Sequence, residues 1–513
     1  MAALASQHAT ASDSAYSAAS RQRQEMRGWN PIAVSADGAM AYERDAIDGR
    51  NQDLIRNEPA AEASVQKRVD LVIGAGLRIV PKVNADALGL SREEARSVNR
   101  ALRGYFNAWA DDPRRLCDAR RRLSLSGLFR LLEREWSSGG ECAAVLKRRP
   151  ARRDLMVRTA IQIIDPIRIS NPNEEPDTRK RRAGIEFDDW DAPIAYNIRQ
   201  GDPLDPWADG TAYDWKRVPR ETARGKPLVL HAFEPKRAEQ SRGIPDFAPI
   251  MKAMKQLGRL DDAELANKVL NATFGAFVES NFDPLAVAEA LGGLGTKSPA
   301  SAWQTQRANH YGTAPVMLGD TRAAVLMPGD SVKLNTEARE TADFAQFRAA
   351  FLQLMASTLG ISYEQLSMDW SNTNYSSARA ALNEVWRWVT SRRRMFAEQV
   401  VSPIYHHALA DIFDADVLDL PASAPMFHEC LGGWLRFIVI GPARGYVDPE
   451  KEIKAQLLAR SGGLRTLENI AAESGEEWED LLDQLDEENE RLGPLGLGVT
   501  PVDPGAIASA PAA

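Results

Sequence analysis

Between Leu366 and Arg379 the chain places a polar, Asn/Ser-rich stretch, Leu-Ser-Met-Asp-Trp-Ser-Asn-Thr-Asn-Tyr-Ser-Ser-Ala-Arg, between two strongly helical patterns. Before it, Phe344, Phe347, Phe351, Leu354, Met355 and Leu359 recur at three- and four-residue intervals, one face of an α-helix, and Gly360 supplies the stop. After it, Ala378, Leu382, Val385, Val389, Phe396, Val400 and Ile404 keep helical spacing. Pro403 interrupts this second pattern and is expected to kink the helix rather than end it. Ser362 with Gln365 predicts a capping-box start to a short turn ahead of the loop, which would make the base of the loop rigid.

The rest of the chain divides by texture. Residues 53–74, 91–109 and 123–137 read as helices. From about 142 to 232 the pattern changes to short apolar runs bounded by Pro, Asp and Gly, at 143–146, 159–164, 185–187, 194–198 and 228–233, which predict strands and turns. Together these give an α+β body. A helical pattern returns at 245–272, and 274–278 and either 316–318 or 325–334 read as strands before the Phe344 helix. About 24 residues of helix would span roughly 36 Å. Near the C-terminus, 448–460 is helical, Gly462-Gly463 breaks it, and 476–491 sets Trp478, Leu481, Leu482 and Leu485 against a face of Glu and Asp, an acidic amphipathic helix. The first thirty residues and residues 493–513 lack periodicity and read as an arm and a tail.

At 513 residues, 44% hydrophobic and 26% charged, the chain has the composition of a soluble globular protein with two to four domains. It has no apolar run long enough to span a membrane and no signal-like start, which predicts a cytoplasmic product. Cys117, Cys142 and Cys430 are too few and scattered for a disulfide framework or a zinc ribbon, so they read as reduced, mostly buried thiols. The net charge of −8 is not that of a protein built to grip nucleic acid by phosphate neutralisation.

Catalytic signals fail one by one. Gly292-Gly-Leu-Gly-Thr-Lys-Ser298 departs from a phosphate loop because Lys297 follows Thr296 instead of Gly. Gly74-Ala-Gly76 lacks the third glycine of a dinucleotide fingerprint and reads as a turn after a helix. His406-His407 and His428-Glu429-Cys430 have no zinc-ligand spacing, and Asp188, Asp189 and Asp191 read as a hairpin turn rather than a nuclease carboxylate set. The basic runs 120–122, 147–149, 179–182 and 392–394 read as solvated faces or subunit salt bridges, with contact to DNA as the other reading. No catalytic, cofactor or metal site is predicted, and the chain reads as a non-enzyme.

Asn374-Tyr-Ser-Ser-Ala-Arg379 resembles the hallmark of the lambda-type family of bacteriophage portal proteins. Other landmarks follow in the family's order: Tyr16, Ala18, Ala19 and Trp29, then Asp53-Leu-Ile-Arg-Asn57 and Val72-Ile-Gly-Ala-Gly76. Trp109, Cys117-Asp118, Leu123-Ser124 and Gly127 come next, then Ile164-Asp-Pro166, Gly184-Ile-Glu-Phe-Asp188, Arg242-Gly-Ile-Pro245, Gly360-Ile361 and Asp448-Pro-Glu-Lys-Glu452.

The resemblance implies a portal-protein fold: an N-terminal arm (1–50), an α+β wing (51–244), a first stem helix (245–272), a clip (273–343) and a second stem helix (344–360). A tunnel loop (361–375), a long kinked helix with the wing return (376–445), a helical crown (446–492) and a disordered tail (493–513) complete it. It further implies a homo-oligomeric ring of about twelve subunits at one capsid vertex, through which double-stranded DNA passes without sequence specificity. The implied partners are the terminase large subunit, the major capsid or scaffold protein and the head-tail connector, with no membrane partner. The location implied is the virion, after assembly in the host cytoplasm. Ser367, Asp369, Trp370, Asn372, Asn374 and Tyr375 are the residues expected to face DNA, followed by the motif residues Ser376, Ser377, Ala378 and Arg379. For Trp370 and Tyr375 the alternative is to anchor the loop against the wing or a neighbouring subunit. An acidic or mixed channel wall would keep phosphate binding wells shallow. Another phage head or tail structural protein is the competing function; a packaging enzyme lacks its Walker A loop.

Overall fold

The computed structural model describes residues 28–202, 204–273, 341–371, 373–445 and 448–492, with short pieces at 17–19, 24, 309, 316–318 and 321–323. The chain forms two compact units, one of residues 1–53, 65–248 and 373–513 and a smaller one of 54–64 and 249–372. The phosphate-loop look-alike at 292–298 and the expected strands at 274–278 and 325–334 lie outside the described residues, as do most of the first 27 residues.

In chain order the elements are α1 (Ala36–Met40), α2 (Arg44–Asn57), α3 (Pro59–Val72), β1 (Arg78–Pro81), α4 (Ala85–Leu88), α5 (Arg92–Ala110) and α6 (Leu125–Gly139). There follow β2 (Glu141–Arg148), β3 (Thr159–Ile164), β4 (Arg181–Arg182), β5 (Ile185–Phe187), β6 (Pro193–Arg199), β7 (Trp215–Pro219), β8 (Val229–Phe233) and α7 (Met251–Thr273). Then come β9 (Val316–Leu318), β10 (Thr321–Ala323), α8 (Thr341–Leu359), α9 (Tyr363–Ser367) and α10 (Tyr375–Phe396). The last are α11 (Ser402–Asp414), α12 (Leu431–Trp434), β11 (Phe437–Ile440), α13 (Pro449–Ser461), α14 (Leu467–Glu473) and α15 (Trp478–Leu492).

In the larger unit β2 is the centre of a three-stranded antiparallel sheet, ordered β3-β2-β8, in which Ala143 sits opposite both Ile164 and His231. Alternation along β2 splits its side chains between two cores. Cys142, Ala144 and Leu146 join the aromatic core of Phe106, Phe129, Trp136, Phe396 and Tyr405, while Ala143 packs with Ile169, Ile185, Phe187, Tyr196 and Ile198. The last four belong to the second sheet, ordered β4-β5-β6-β7. All five strands expected at 143–146, 159–164, 185–187, 194–198 and 228–233 are present. Cys117 and Cys142 are buried free thiols, raised by burial, Cys117 to about 12.

Two helical expectations change. The helix expected at 53–74 is two helices, because Pro59 has no N–H to continue α2 and instead starts α3. The long helix after the loop does not run straight through Pro403: residues Ala397–Val401 form a π-turn between α10 and α11. The wider turn accommodates the missing N–H and the proline ring. The turn is tied to β8, since Gln399 Oε1 accepts from Phe233 N at 3.0 Å.

Five strands were not foreseen, the three-residue β10 among them. β1 and β11 are four residues each and pair across most of the chain, Arg78 opposite Ile440. β7 is largely polar and β4 has two residues, too short for alternation to show. In the smaller unit α7 and α8 contact each other and are joined by the Arg348–Asp261 pair at 3.5 Å; Met254 and Leu257 on α7 and Leu352, Met355 and Leu359 on α8 are buried. Leu265, Val269 and Leu354 remain more than half exposed along the two helices, and Phe347 is 49% exposed.

Candidate functional site

The loop is built from two separate pieces. In the smaller unit Gly360, at φ +72°, ends α8, and Ser362 caps α9 with Gln365 in the reciprocal arrangement expected: Ser362 Oγ accepts from Gln365 N, and Gln365 Oε1 from Ser362 N, both at 3.3 Å. Met368 then takes the left-handed conformation (φ +57°) and is exposed. Asp369 Oδ1 accepts from Ser371 N (3.0 Å) and Ser371 Oγ (2.6 Å), an Asx turn that also holds its carboxyl below the ordinary range. Asp369 N donates to Ser367 Oγ at 3.2 Å, so Ser367 and Asp369 shape the turn. Trp370 is 43% exposed in the single chain.

In the larger unit the family motif is a helix cap. Asn374 Oδ1 accepts from Ser377 N (2.9 Å) and Ser376 Oγ (2.8 Å), and Ser377 Oγ accepts from Asn374 N (3.2 Å). Three of the six motif residues thus satisfy the free N-terminal groups of α10. Ala378 is partly buried, and Arg379 is exposed, with no ion-pair partner among the described residues. Asn372 and the Tyr375 side chain lie outside the described residues.

The buttress behind this cap is rigid. Arg392 on α10 is buried; its Nε lies 3.1 and 3.3 Å from the Glu133 carboxylate oxygens and its guanidinium 3.8 Å from the Trp136 ring centre. Arg393 donates to the carbonyls of Val72 and Leu71 at 2.9 and 2.7 Å, and burial lowers its pKa to about 10. Only Arg394 is solvated, paired with Glu398 at 2.9 Å. The 392–394 run is therefore neither a DNA grip nor a solvated face: two of its three arginines hold α10 to α6 and the end of α3.

Arg242-Gly-Ile-Pro245 acquires a similar meaning. Glu141 is buried and accepts from Arg44, Arg242, His231 and Gly243 N. Burial works to raise its pKa, but the Arg242 and Arg44 guanidiniums and the His231 hydrogen bond outweigh that and hold it well below the carboxylate range. Gly140 and Gly243 let the two backbones approach: a Cβ on Gly140 would lie 2.2 Å from Ile244 O, and one on Gly243 2.3 Å from Gly140 O.

The residues considered for chemistry resolve into structural roles. Asp188 accepts from Trp190 N and Ala192 N, both at 2.8 Å, forming the hairpin turn; Asp189 and Asp191 pair with Lys180 and Arg182. His407 Nδ1 lies 2.7 Å from Thr159 Oγ1, which donates to buried Asp411, and Asp411 is neutralised by Arg148 and Lys226. Among the described residues no group of His, Cys, Asp or Glu is placed to hold a metal, and no helix is long and apolar enough to cross a membrane.

The model of the lambda family of phage portal proteins matches residues 22–393. The portal protein of Escherichia phage N15 is 30% identical over 478 residues, covering 92% of this chain and 89% of that protein. Portal protein B of Escherichia phage lambda is 29% identical over 464 residues, covering 90% and 86%. A solved structure from the neck of an empty gene transfer agent particle overlays 83% of this chain and 93% of its own at a TM-score of 0.42 and 14% identity. The chain belongs to the lambda family of phage portal proteins, and its function is that of a phage portal, a structural protein of the virion.

Proposed function

We propose that about twelve copies of the chain close into a ring at one capsid vertex, forming the channel through which double-stranded DNA is packaged and later ejected. Membership of the portal family carries this reading. The exposed apolar residues Leu265, Val269, Phe347 and Leu354 on the paired helices α7 and α8 support it, because such faces mark contact surfaces. In this assignment 51–244 with the 376–445 return is the wing, α7 and α8 are the stem, 273–343 is the clip and 446–492 the crown. The clip would dock the terminase motor and then the head-tail connector, and assembly would take place in the host cytoplasm.

The polar stretch 367–375 of the tunnel loop (361–375) presents Trp370 and the Asn374 cap region to the duplex. Its groups are neutral or, like Asp369, internally paired, so a moving phosphate backbone meets no fixed cation there. The chain itself performs no chemistry.

Class averages of the purified protein by electron microscopy test the conduit: rings with a hole of roughly 20 Å or more are expected, and a persistent monomer would remove the ring. Deletion of residues 367–374 should leave rings intact while packaging or DNA retention fails. Loss of rings with a normally folded subunit would instead move the loop to the subunit interface.

A further inference from the structure

We propose that the acidic loop at 204–214 of one subunit inserts its apolar tip into a cavity beside α11 of a second copy of the chain. The proposal rests on the ring reading and names one contact that would hold the ring together.

The loop closes its polar groups on itself. Leu204 N donates to Asp202 Oδ1 and Ala208 N to Asp205 O, both at 2.9 Å. Asp209 Oδ1 accepts from Thr211 N at 2.9 Å, and Asp214 N donates to Thr211 O at 3.0 Å. Ala212 alone is buried beneath these turns, while Leu204 is 92%, Trp207 79% and Tyr213 64% exposed. Three large apolar side chains held outward by an internally bonded loop form a surface patch of the kind that marks a partner. Residues 204–214 carry three Asp and no Lys or Arg.

The complementary feature is a cavity of about 390 Å³ lined by α11, the turn after β7 and the 420–431 segment. Its apolar wall contains Phe413, stacked on Phe427 with ring centres 4.6 Å apart, and Leu420. Met426, at the mouth, is 65% exposed. The volume is at the low end of about 300–1,000 Å³ for small-ligand sites, suited to an aromatic ring. Arg224 and Lys226 form part of the rim. Arg148 and Lys226 are taken up by Asp411 and Asp414, and Glu429 accepts from Met426 N at the mouth; Arg224, with no ion-pair partner among the described residues, is the rim cation left to meet the acidic loop.

A second copy is the occupant that fits both patches. Trp215 pairs with Arg199 at one end of β7 and Pro219 with Ala195 at the other, so the loop leads into β7 at the end away from the turn that lines the cavity. At ~3.3 Å per residue these ends lie roughly 13 Å apart. Knob and socket are thus different patches on opposite ends of the sheet, the heterologous, head-to-tail arrangement from which rings are generated.

The test uses the full-length chain carrying Trp207→Cys and Met426→Cys in a Cys430→Ser background, oxidised mildly after assembly and run on a non-reducing gel, with electron microscopy alongside. A ladder of covalent multimers from the double variant, and monomer from either single variant, is expected. Trp207→Asp, at a side chain free of the core, should keep the wild-type circular dichroism and raise the concentration needed for ring assembly at least about tenfold. Rings without a ladder overturn this contact and leave the ring reading standing, as does Trp207→Asp assembling at wild-type concentration. A wild-type chain that never self-associates overturns the ring reading and this contact with it.

Discussion

Replacing Arg392 with Ala should open the joint between α6 and α10 far more than its sequence context suggests. Glu133 and Arg392 are 0% and 2% exposed, and the guanidinium contacts both carboxylate oxygens and the Trp136 face. Without it, Glu133 keeps the Ser137 Oγ hydrogen bond at 2.7 Å and the field of buried Arg68, but no direct cationic partner among the described residues. Removing one partner of a buried pair costs about 3–5 kcal/mol. Read by amide hydrogen exchange under conditions where opening is in rapid equilibrium, that is roughly two to four orders of magnitude faster exchange across 125–139 and 385–396. Local exchange suits a chain of two units, for which a single unfolding free energy is poorly defined. Arg392 Nη2 finds no partner among the described residues, so the pair itself is not ideally satisfied. Glu133→Leu with Arg392→Met should therefore recover most of the loss. Exchange within tenfold of wild type in Arg392→Ala would refute the argument that the pair is locked in low dielectric; a double variant as open as the single would refute the charge as its cause.

Asn374→Ala removes the acceptor for Ser377 N and Ser376 Oγ, and should cost about 1 kcal/mol at the start of α10, with Asn374→Asp nearly neutral; faster exchange of amides 376–379 in the Ala variant alone checks it. Gly140→Ala forces a side chain into φ +80° and onto Ile244 O, so it should cost more than the ~1–2 kcal/mol of left-handed backbone strain, whereas Gly89→Ala, with φ +65° and open space, should cost only that strain; melting temperatures of the pair compare the two. Burial lowers His406 to about 4 and also depresses His407, so the unfolded chain binds more protons than the folded one below pH 6.5. Stability should then fall as pH drops from about 6.5 toward 4, and a His406→Gln/His407→Gln variant should show a shallower fall in urea midpoint over that window. Purified rings should show no ATPase activity; metal-dependent turnover abolished by changing Lys297 would reverse the non-enzymatic reading.

Much of the site's local structure was legible because it is written in short-range chemistry. The Ser362/Gln365 capping box and the Asp188 turn occur as the sequence predicts, since each is a side chain bonding its own near backbone. The Asn374 cap was visible as a motif but not as a cap, although Asn three residues before Ser, at the head of a helical pattern, was the available signal. Arg392 and Glu141 were not legible at all. Both look like ordinary surface charges in sequence, and their partners Glu133 and Arg242 lie about a hundred or more residues away.

What the sequence determined by itself is therefore the family, the α+β alternation, the two helices framing the polar loop, and the caps and turns. Periodicities of two and 3.6 and local hydrogen bonding act within a few residues and need no fold to be read. Only the tertiary structure decided which charges are buried, that β1 pairs with β11, how the π-turn absorbs Pro403, and that the apolar loop tip and the basic-rimmed cavity stand at opposite ends of one sheet. Burial and pairing depend on segments distant in sequence, and the free energy of a charge depends on its surroundings far more than on its neighbours in the chain.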